Sequence, residues 1–201
     1  MPYVTLAKSV HPFASNTYII YSGGECAVVD PSVPYSTVTL QGKLRYILLT
    51  HAHFDHMLDI DEWVRESGAT VIVSAYDKPA LSDSSRNAYF LFTGKHSGYF
   101  GESVAVNDGD TLPLGDELIR VIALPGHTPG SVGYHISDIL FAGDTVFSGG
   151  GYGRCDLPGG DYEAIKDSIN RVMALEPSTI LLCGHGEATT VSEYRRYYRN
   201  F

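Results

Sequence analysis

The first half of the chain alternates short apolar runs with turn residues, a pattern typical of buried strands. Four such runs predict strands over 16–22, 25–30, 44–50 and 69–74. Gly23 and Gly24 separate the first two runs and indicate a hairpin. A helix is predicted over 58–66, where apolar residues recur among acidic ones, and Gly68 is placed to end it. A second, shorter helix is predicted over 33–41.

The second half repeats this order of strands followed by a helix. Its apolar runs predict strands over 118–124, 131–136, 139–142 and 179–183. The clearest helix is predicted over 161–175, where Ile165, Ile169 and Val172 share one face and Asp161 is a suitable N-cap. A short terminal helix is predicted over 191–198. These elements favour one mixed α/β domain over residues 1–201, with its sheets buried under helices.

Residues 76–101 differ from the rest because they are polar with scattered aromatic side chains. One interpretation is a partly helical connection packed by its own aromatic residues. The other is an insertion that covers a substrate. Lys95 lies in this segment and is either a solvated side chain or an anchor for a substrate.

The composition limits the kinds of binding partner and the cellular compartments that we expect for this chain. The chain has 23 acidic and 14 basic residues, for a net charge of −9. This charge disfavours binding to nucleic acid or to an anionic membrane surface. The three cysteines are widely spaced and form no disulfide framework. With no secretion signal and no apolar run of about 18 residues, we expect a soluble cytoplasmic protein that acts on a small molecule, in an oligomeric state that the sequence leaves open.

The strongest chemical signal is the run from Thr50 to His56, which directly follows a predicted buried strand. Four of its side chains are metal-binding types: His51, His53, Asp55 and His56. Imidazole and carboxylate groups bind zinc, iron or manganese. His51 and His53 are two residues apart, so in extended backbone they point the same way. Asp55 and His56 are offset from them and can serve a second metal centre.

Three further segments place a metal-binding residue beside glycine after a predicted strand. They are Leu124–Gly130 with His127, Phe141–Thr145 with Asp144, and Cys183–Gly186 with His185. Glycine permits the tight turns and close approaches that such sites need. Each segment alone also fits an ordinary turn. Together with the histidine-rich run they predict a metal site.

The ordered set of Asp30, HxHxDH, His127, Asp144 and His185 resembles the metallo-β-lactamase superfamily. The resemblance extends from Asp30 to His185 and implies a four-layer αββα sandwich with its metals at one edge, between two sheets. It implies two divalent metal ions, zinc foremost and iron or manganese as alternatives. The implied ligands are His51, His53 and His127 for the first ion, Asp55, His56 and His185 for the second, and Asp144 between both. Asp30 is implied to support the ligands without binding metal.

The sequence around these residues is most similar to that of the glyoxalase II group, the hydroxyacylglutathione hydrolases. The segments PGHTPGS and FAGDTVFSGGGYGRCDLPGG carry this similarity. We expect the short form of that group, because only sixteen residues follow His185. The resemblance implies hydrolysis of a small thioester such as S-lactoylglutathione, with Asp55 orienting the attacking water. Arg154 is either an anchor for a substrate carboxylate or the partner of Asp156.

Other functions stay open at this stage. The persulfide dioxygenases share the implied fold and bind one iron, here through His51, His127 and Asp144. A metal-dependent lactonase or phosphodiesterase is a third possibility, and a non-catalytic metal-binding module is a fourth. Metal content and oxygen uptake separate the dioxygenase from the hydrolases.

Overall fold

Two mixed β-sheets form the centre of the molecule, and their strands follow chain order. The computed structural model describes residues 2–198. The first sheet contains β1 (Tyr3–Ala7), β2 (Thr17–Ser22), β3 (Glu25–Val29), β4 (Lys43–Leu48), β5 (Thr70–Ser74) and β6 (Val104–Val106). The second contains β7 (Thr111–Leu114), β8 (Glu117–Ala123), β9 (Val132–Ile136), β10 (Ile139–Gly143), β11 (Ile180–Cys183) and β12 (Thr189–Thr190).

Strand direction brings several strand ends to one edge of the molecule. Strands β3 to β6 run parallel, and so do β10 and β11. Strand β9 is antiparallel to both β8 and β10, so those two also share a direction. The residues that follow β3, β4, β8, β10 and β11 carry the predicted site.

Helices cover the outer faces of both sheets. They are α1 (Ile60–Ser67) on the first sheet, and α3 (Tyr162–Met173) and α4 (Val191–Tyr197) on the second, whereas the short α2 (Tyr89–Thr93) lies beside the predicted site. Alternate side chains of the central strands enter different cores: Ile47 packs beneath α1, whereas Leu48 lies between the sheets. A third core lies between the second sheet and helices α3 and α4. The layers are therefore helix, sheet, sheet, helix, which confirms the predicted αββα sandwich.

The residues predicted to begin and end the main helices do so in the structure. The Asp161 carboxylate accepts hydrogen bonds from the backbone N–H groups of Glu163 and Ala164 at the start of α3. Gly68 ends α1 with φ 65°, a left-handed conformation that costs glycine little. Trp63 anchors α1, because its buried indole donates to the Val33 carbonyl.

The prediction of a helix over 33–41 is wrong. The structure has only a single 3₁₀ turn there, at Tyr35–Thr37. Pro34 stands before it with extended backbone (φ −56°, ψ 135°), and proline has no N–H for a longer helix. Strands β1, β6, β7 and β12 were not predicted. None of the helices within residues 2–198 is long and apolar enough to cross a membrane.

Candidate metal centre

Three buried histidines meet at the edge between the sheets. Nε2 of His51 lies 3.1 Å from Nδ1 of His53, which lies 2.9 Å from Nε2 of His127. Residues 51 and 53 follow β4 and residue 127 follows β8, so the two sheets contribute together. Ring nitrogens that face one another at these distances direct lone pairs toward a common point. These three are the residues that the resemblance implies for the first ion.

The second predicted set lies beside the first. Oδ2 of Asp55 is 3.2 Å from Nε2 of His185 and 3.9 Å from Nε2 of His56. Asp144 stands between the two sets: its Oδ1 is 3.3 Å from His56 Nε2, and its Oδ2 is 3.7 Å from Nε2 of both His127 and His185. The structure thus brings all seven predicted ligands together.

The arrangement fits divalent cations. Three overlapping groups of side chains have donor atoms within 4.8 Å of one another: His51, His53 and His127; His51, His56 and Asp144; and Asp55, His56 and His185. His56 Nε2 and Asp144 Oδ1 are buried and face each other at 3.3 Å without forming a hydrogen bond, and neither atom has another hydrogen-bond partner. Buried polar atoms are normally paired, since an unpaired one costs about 1–3 kcal/mol. A cation between these atoms satisfies both.

Hydrogen bonds behind the rings fix which nitrogen faces the centre. His56 donates from Nδ1 to Asp30 Oδ2 over 2.8 Å, and His127 donates from Nδ1 to the Arg154 carbonyl over 2.8 Å. The Thr50 hydroxyl donates to Asp30 Oδ2 over 2.7 Å and lies 3.2 Å from Nδ1 of His51, whose proton it accepts. These bonds leave Nε2 of the three rings free for a metal. Asp30 supports the ligands, as the resemblance implies.

Burial and neighbouring charges set the protonation of the centre. Burial lowers the pKa of His53 to about 3 and the pKa of His51 well below its ordinary value. Burial also acts to lower the pKa of His56, but the carboxylates of Asp30 and Asp144 raise it well above its ordinary value. Burial acts to raise the pKa of Asp144, but His56 keeps it below its ordinary value. Two rings are therefore neutral, as metal ligands must be, while His56 releases a proton when metal binds.

Asp77 joins the two loops that carry the first three histidines, a role the sequence analysis missed. Its carboxylate accepts from the Ala52 N–H at 3.0 Å, the Thr128 hydroxyl at 2.8 Å and the Gly130 N–H at 2.8 Å. The side chain is buried. Asp77 follows the parallel strand β5. Its position after that strand is the sequence feature that could have indicated a role at the site.

Asn16 holds the loop that carries His185, and it was also missed. Its N–H donates to the Gly184 carbonyl at 2.7 Å. Its side-chain amide donates to the carbonyls of Cys183 and Gly186 at 3.1 and 3.0 Å. The chain before β2 therefore positions a ligand loop that follows β11.

A cleft of about 320 Å³ opens onto the centre. Arg154 lines it, but its guanidinium binds Asp156 through two hydrogen bonds of 2.7 and 2.6 Å. Ala88 and Phe92, from the 76–101 segment, also line it, which favours an insertion that covers substrate. Lys95 is exposed and is not among the lining residues. Gly94 ends α2 with φ 67° and turns the chain before Lys95.

Comparison with known proteins identifies the family. The pattern of the metallo-beta-lactamase superfamily matches residues 10–185. The chain is 33% identical over 191 residues to the probable metallo-hydrolase YqgX of Bacillus subtilis, with 90% of each chain covered. It is 29% identical over 197 residues to the hydroxyacylglutathione hydrolase GloC of Haemophilus influenzae, covering 93% of this chain and 92% of the relative.

Solved structures show the same fold. The BLEG-1 B3 metallo-beta-lactamase superposes with a TM-score of 0.88 at 29% identity, over 96% of this chain and 97% of that one. TTHA1623, solved in a di-iron-bound form, superposes with a TM-score of 0.81 at 29% identity, over 96% and 98%. The chain belongs to the metallo-β-lactamase superfamily, and its hydroxyacylglutathione hydrolase relative supports the glyoxalase II-like branch.

Proposed function

We propose that this protein is a metal-dependent hydrolase of small thioesters, with S-lactoylglutathione as the reference substrate. The observation that carries the proposal is the complete set of seven predicted ligands in one cluster, four of which line an open cleft. GloC, which is similar over nearly the whole chain, bears the name of a hydrolase of this substrate class.

Divalent ions in such a centre supply an activated water at neutral pH and polarise a substrate carbonyl. His51, His53 and His127 would hold one ion, and Asp55, His56 and His185 would hold the other, with Asp144 shared between them. We propose zinc as the metal, with iron or manganese as alternatives. The di-iron form of TTHA1623 supports a two-metal centre.

Asp55 is the residue that we propose to orient the attacking water. It lines the cleft, and its side chain is 20% exposed, so it can reach a bound substrate. Burial acts to raise its pKa, but the hydrogen bond from His185 keeps the pKa below its ordinary value. The carboxylate is therefore ionised at neutral pH and can accept a proton from water.

The test is the initial rate of S-lactoylglutathione hydrolysis by protein of known metal content. We expect a kcat/KM above about 10⁴ M⁻¹s⁻¹, within the usual enzymatic range, and loss of the rate after chelation. Asp55→Asn should lose activity, whereas Asp59→Asn is the matched control, since Asp59 lies four residues away and outside the cluster.

Three results would contradict the proposal. Full activity in metal-free protein would refute metal-dependent hydrolysis. A negligible rate with two metals bound would exclude this substrate and direct the assay to lactones, phosphodiesters and β-lactams. One bound iron with oxygen uptake in the presence of glutathione persulfide would identify a dioxygenase instead.

A further inference from the structure

Apolar side chains form one side of the cleft above the metal centre. Phe13, Phe54 and Phe92 contact one another, with ring centroids 5.8–6.0 Å apart. We call these three residues the aromatic wall. Phe54 is buried, but Phe13 and Phe92 remain 44% and 43% exposed beside the cleft. Leu157 and Phe147 extend the apolar lining.

Few charged side chains line the same cleft. Arg154 is the only lysine or arginine that lines it within residues 2–198, and its Nε and Nη2 donate to the Asp156 carboxylate along one edge of the guanidinium. The other charged lining residues are Asp55 and Asp144, which belong to the metal centre. The cleft therefore offers a substrate open aromatic surface, and its one basic side chain is already paired along one edge.

We propose that the aromatic wall binds an apolar acyl group of the scissile thioester, so that a thioester with an aryl or longer alkyl group is preferred over the acetyl thioester of the same thiol. The proposal rests on the thioester hydrolase function proposed above. Covering Phe13 and Phe92 with an apolar group removes exposed aromatic surface from water.

The first test compares two thioesters that share one neutral thiol. Phenylacetyl and acetyl thioesters of N-acetylcysteamine differ only by a phenyl group. We expect kcat/KM to be about 10- to 100-fold higher for the phenylacetyl compound, as for other small apolar additions that fill a pocket. Equal rates for the two compounds, or a faster acetyl thioester, would overturn the inference while leaving the hydrolase function intact.

Variants test whether the wall is the source of this preference. Phe92→Ala should reduce the ratio of the two rates at least about fivefold, and Phe13→Ala, on a separate segment, should do the same. Phe90→Ala is the matched control: Phe90 lies on the same helix, is 45% exposed, and stacks on His96 instead of lining the cleft. A ratio unchanged in both wall variants, or reduced equally in the control, would refute the role of the wall.

A binding measurement separates this inference from catalysis. S-phenethyl and S-ethyl thioethers of N-acetylcysteamine have no scissile carbonyl and again differ only by a phenyl group, and calorimetry gives their affinities for metal-loaded protein directly. We expect the phenethyl compound to bind at least about tenfold more tightly, and Phe92→Ala to abolish the difference. If this difference appears while neither thioester is hydrolysed, the hydrolase function fails and the wall stands. If both thioethers bind equally, the wall fails.

Discussion

Asp77 offers a direct test of how the first three histidines are held. Replacing it with alanine removes the acceptor for two backbone donors, the N–H groups of Ala52 and Gly130, both of which are buried. A buried donor left unpaired costs about 1–3 kcal/mol, so the pair costs about 2–6 kcal/mol. The free energy of unfolding of a whole domain is about 5–15 kcal/mol. Asp77→Ala should therefore fold but unfold at a clearly lower urea concentration.

The same change should weaken metal binding, because Asp77 links the loop of His51 and His53 to the loop of His127. Loss of a group that orients metal ligands typically costs 10- to 100-fold in metal affinity. Urea unfolding of the metal-free protein measures the first effect, and metal titration against a competing chelator measures the second. Asp77→Asn retains one acceptor oxygen and should fall between wild type and Asp77→Ala in both assays.

Asp83→Ala is the matched control from the same segment. The Asp83 carboxylate also accepts a backbone hydrogen bond, from Ser85, but it is exposed, so water can replace it. We expect a loss below about 1 kcal/mol and unchanged metal affinity. If Asp77→Ala costs no more than this control and its metal affinity stays within twofold of wild type, Asp77 does not hold the two loops.

Three further predictions concern the centre itself. In Gly184→Ala the new Cβ would overlap Asp144 Oδ1 and lie 2.7 Å from His56 Cε1; elemental analysis should find about one ion per chain, and two retained ions would contradict this. The pKa of His53 is about 3 in the folded protein and about 6.5 in the unfolded chain. As the pH falls, the unfolded chain therefore binds protons before the folded protein does. The free energy of unfolding of the metal-free protein should decrease from pH 6 to 4.5. His56, with a raised pKa, opposes this mainly above about pH 6, and equal urea midpoints at the two pH values would refute the prediction. Removing metal should lower the melting temperature, since each ion at 100 times its Kd adds about 2.7 kcal/mol; an unchanged value would show that the centre does not bind metal in the folded state.

The central strands and the ligands could be predicted because their signals are local. The second half of β4, residues 46–48, is an apolar run buried on both faces, and the histidines begin three residues after the strand ends. Ligand types next to strand ends are visible without knowing which strands are neighbours. Edge strands carry a weaker signal: β1 is largely exposed and β6 has only three residues. Their pairing depends on neighbours far along the chain.

The supporting residues depend on tertiary contacts and were harder to predict. Asp77 meets Gly130 across 53 positions, and no pattern near either residue specifies that contact. The same holds for Phe13, which reaches Phe92 only because the fold places its loop at the cleft. Lys95 is close in sequence to residues that line the cleft but does not line it. The left-handed Gly94 turns the chain immediately before Lys95.

The hydrogen bonds between Asn16 and the loop that carries His185 have a consequence for the order in which the protein folds. The first three histidines are all present once the chain reaches residue 127, whereas the second set needs residue 185. The bond from the Asn16 N–H to the Gly184 carbonyl closes a loop across most of the polypeptide. Contacts this distant in sequence form slowly, after local structure. A nascent chain therefore acquires its two metal-binding sets at different lengths, and the second set is complete only when the opposite ends of the fold have come together.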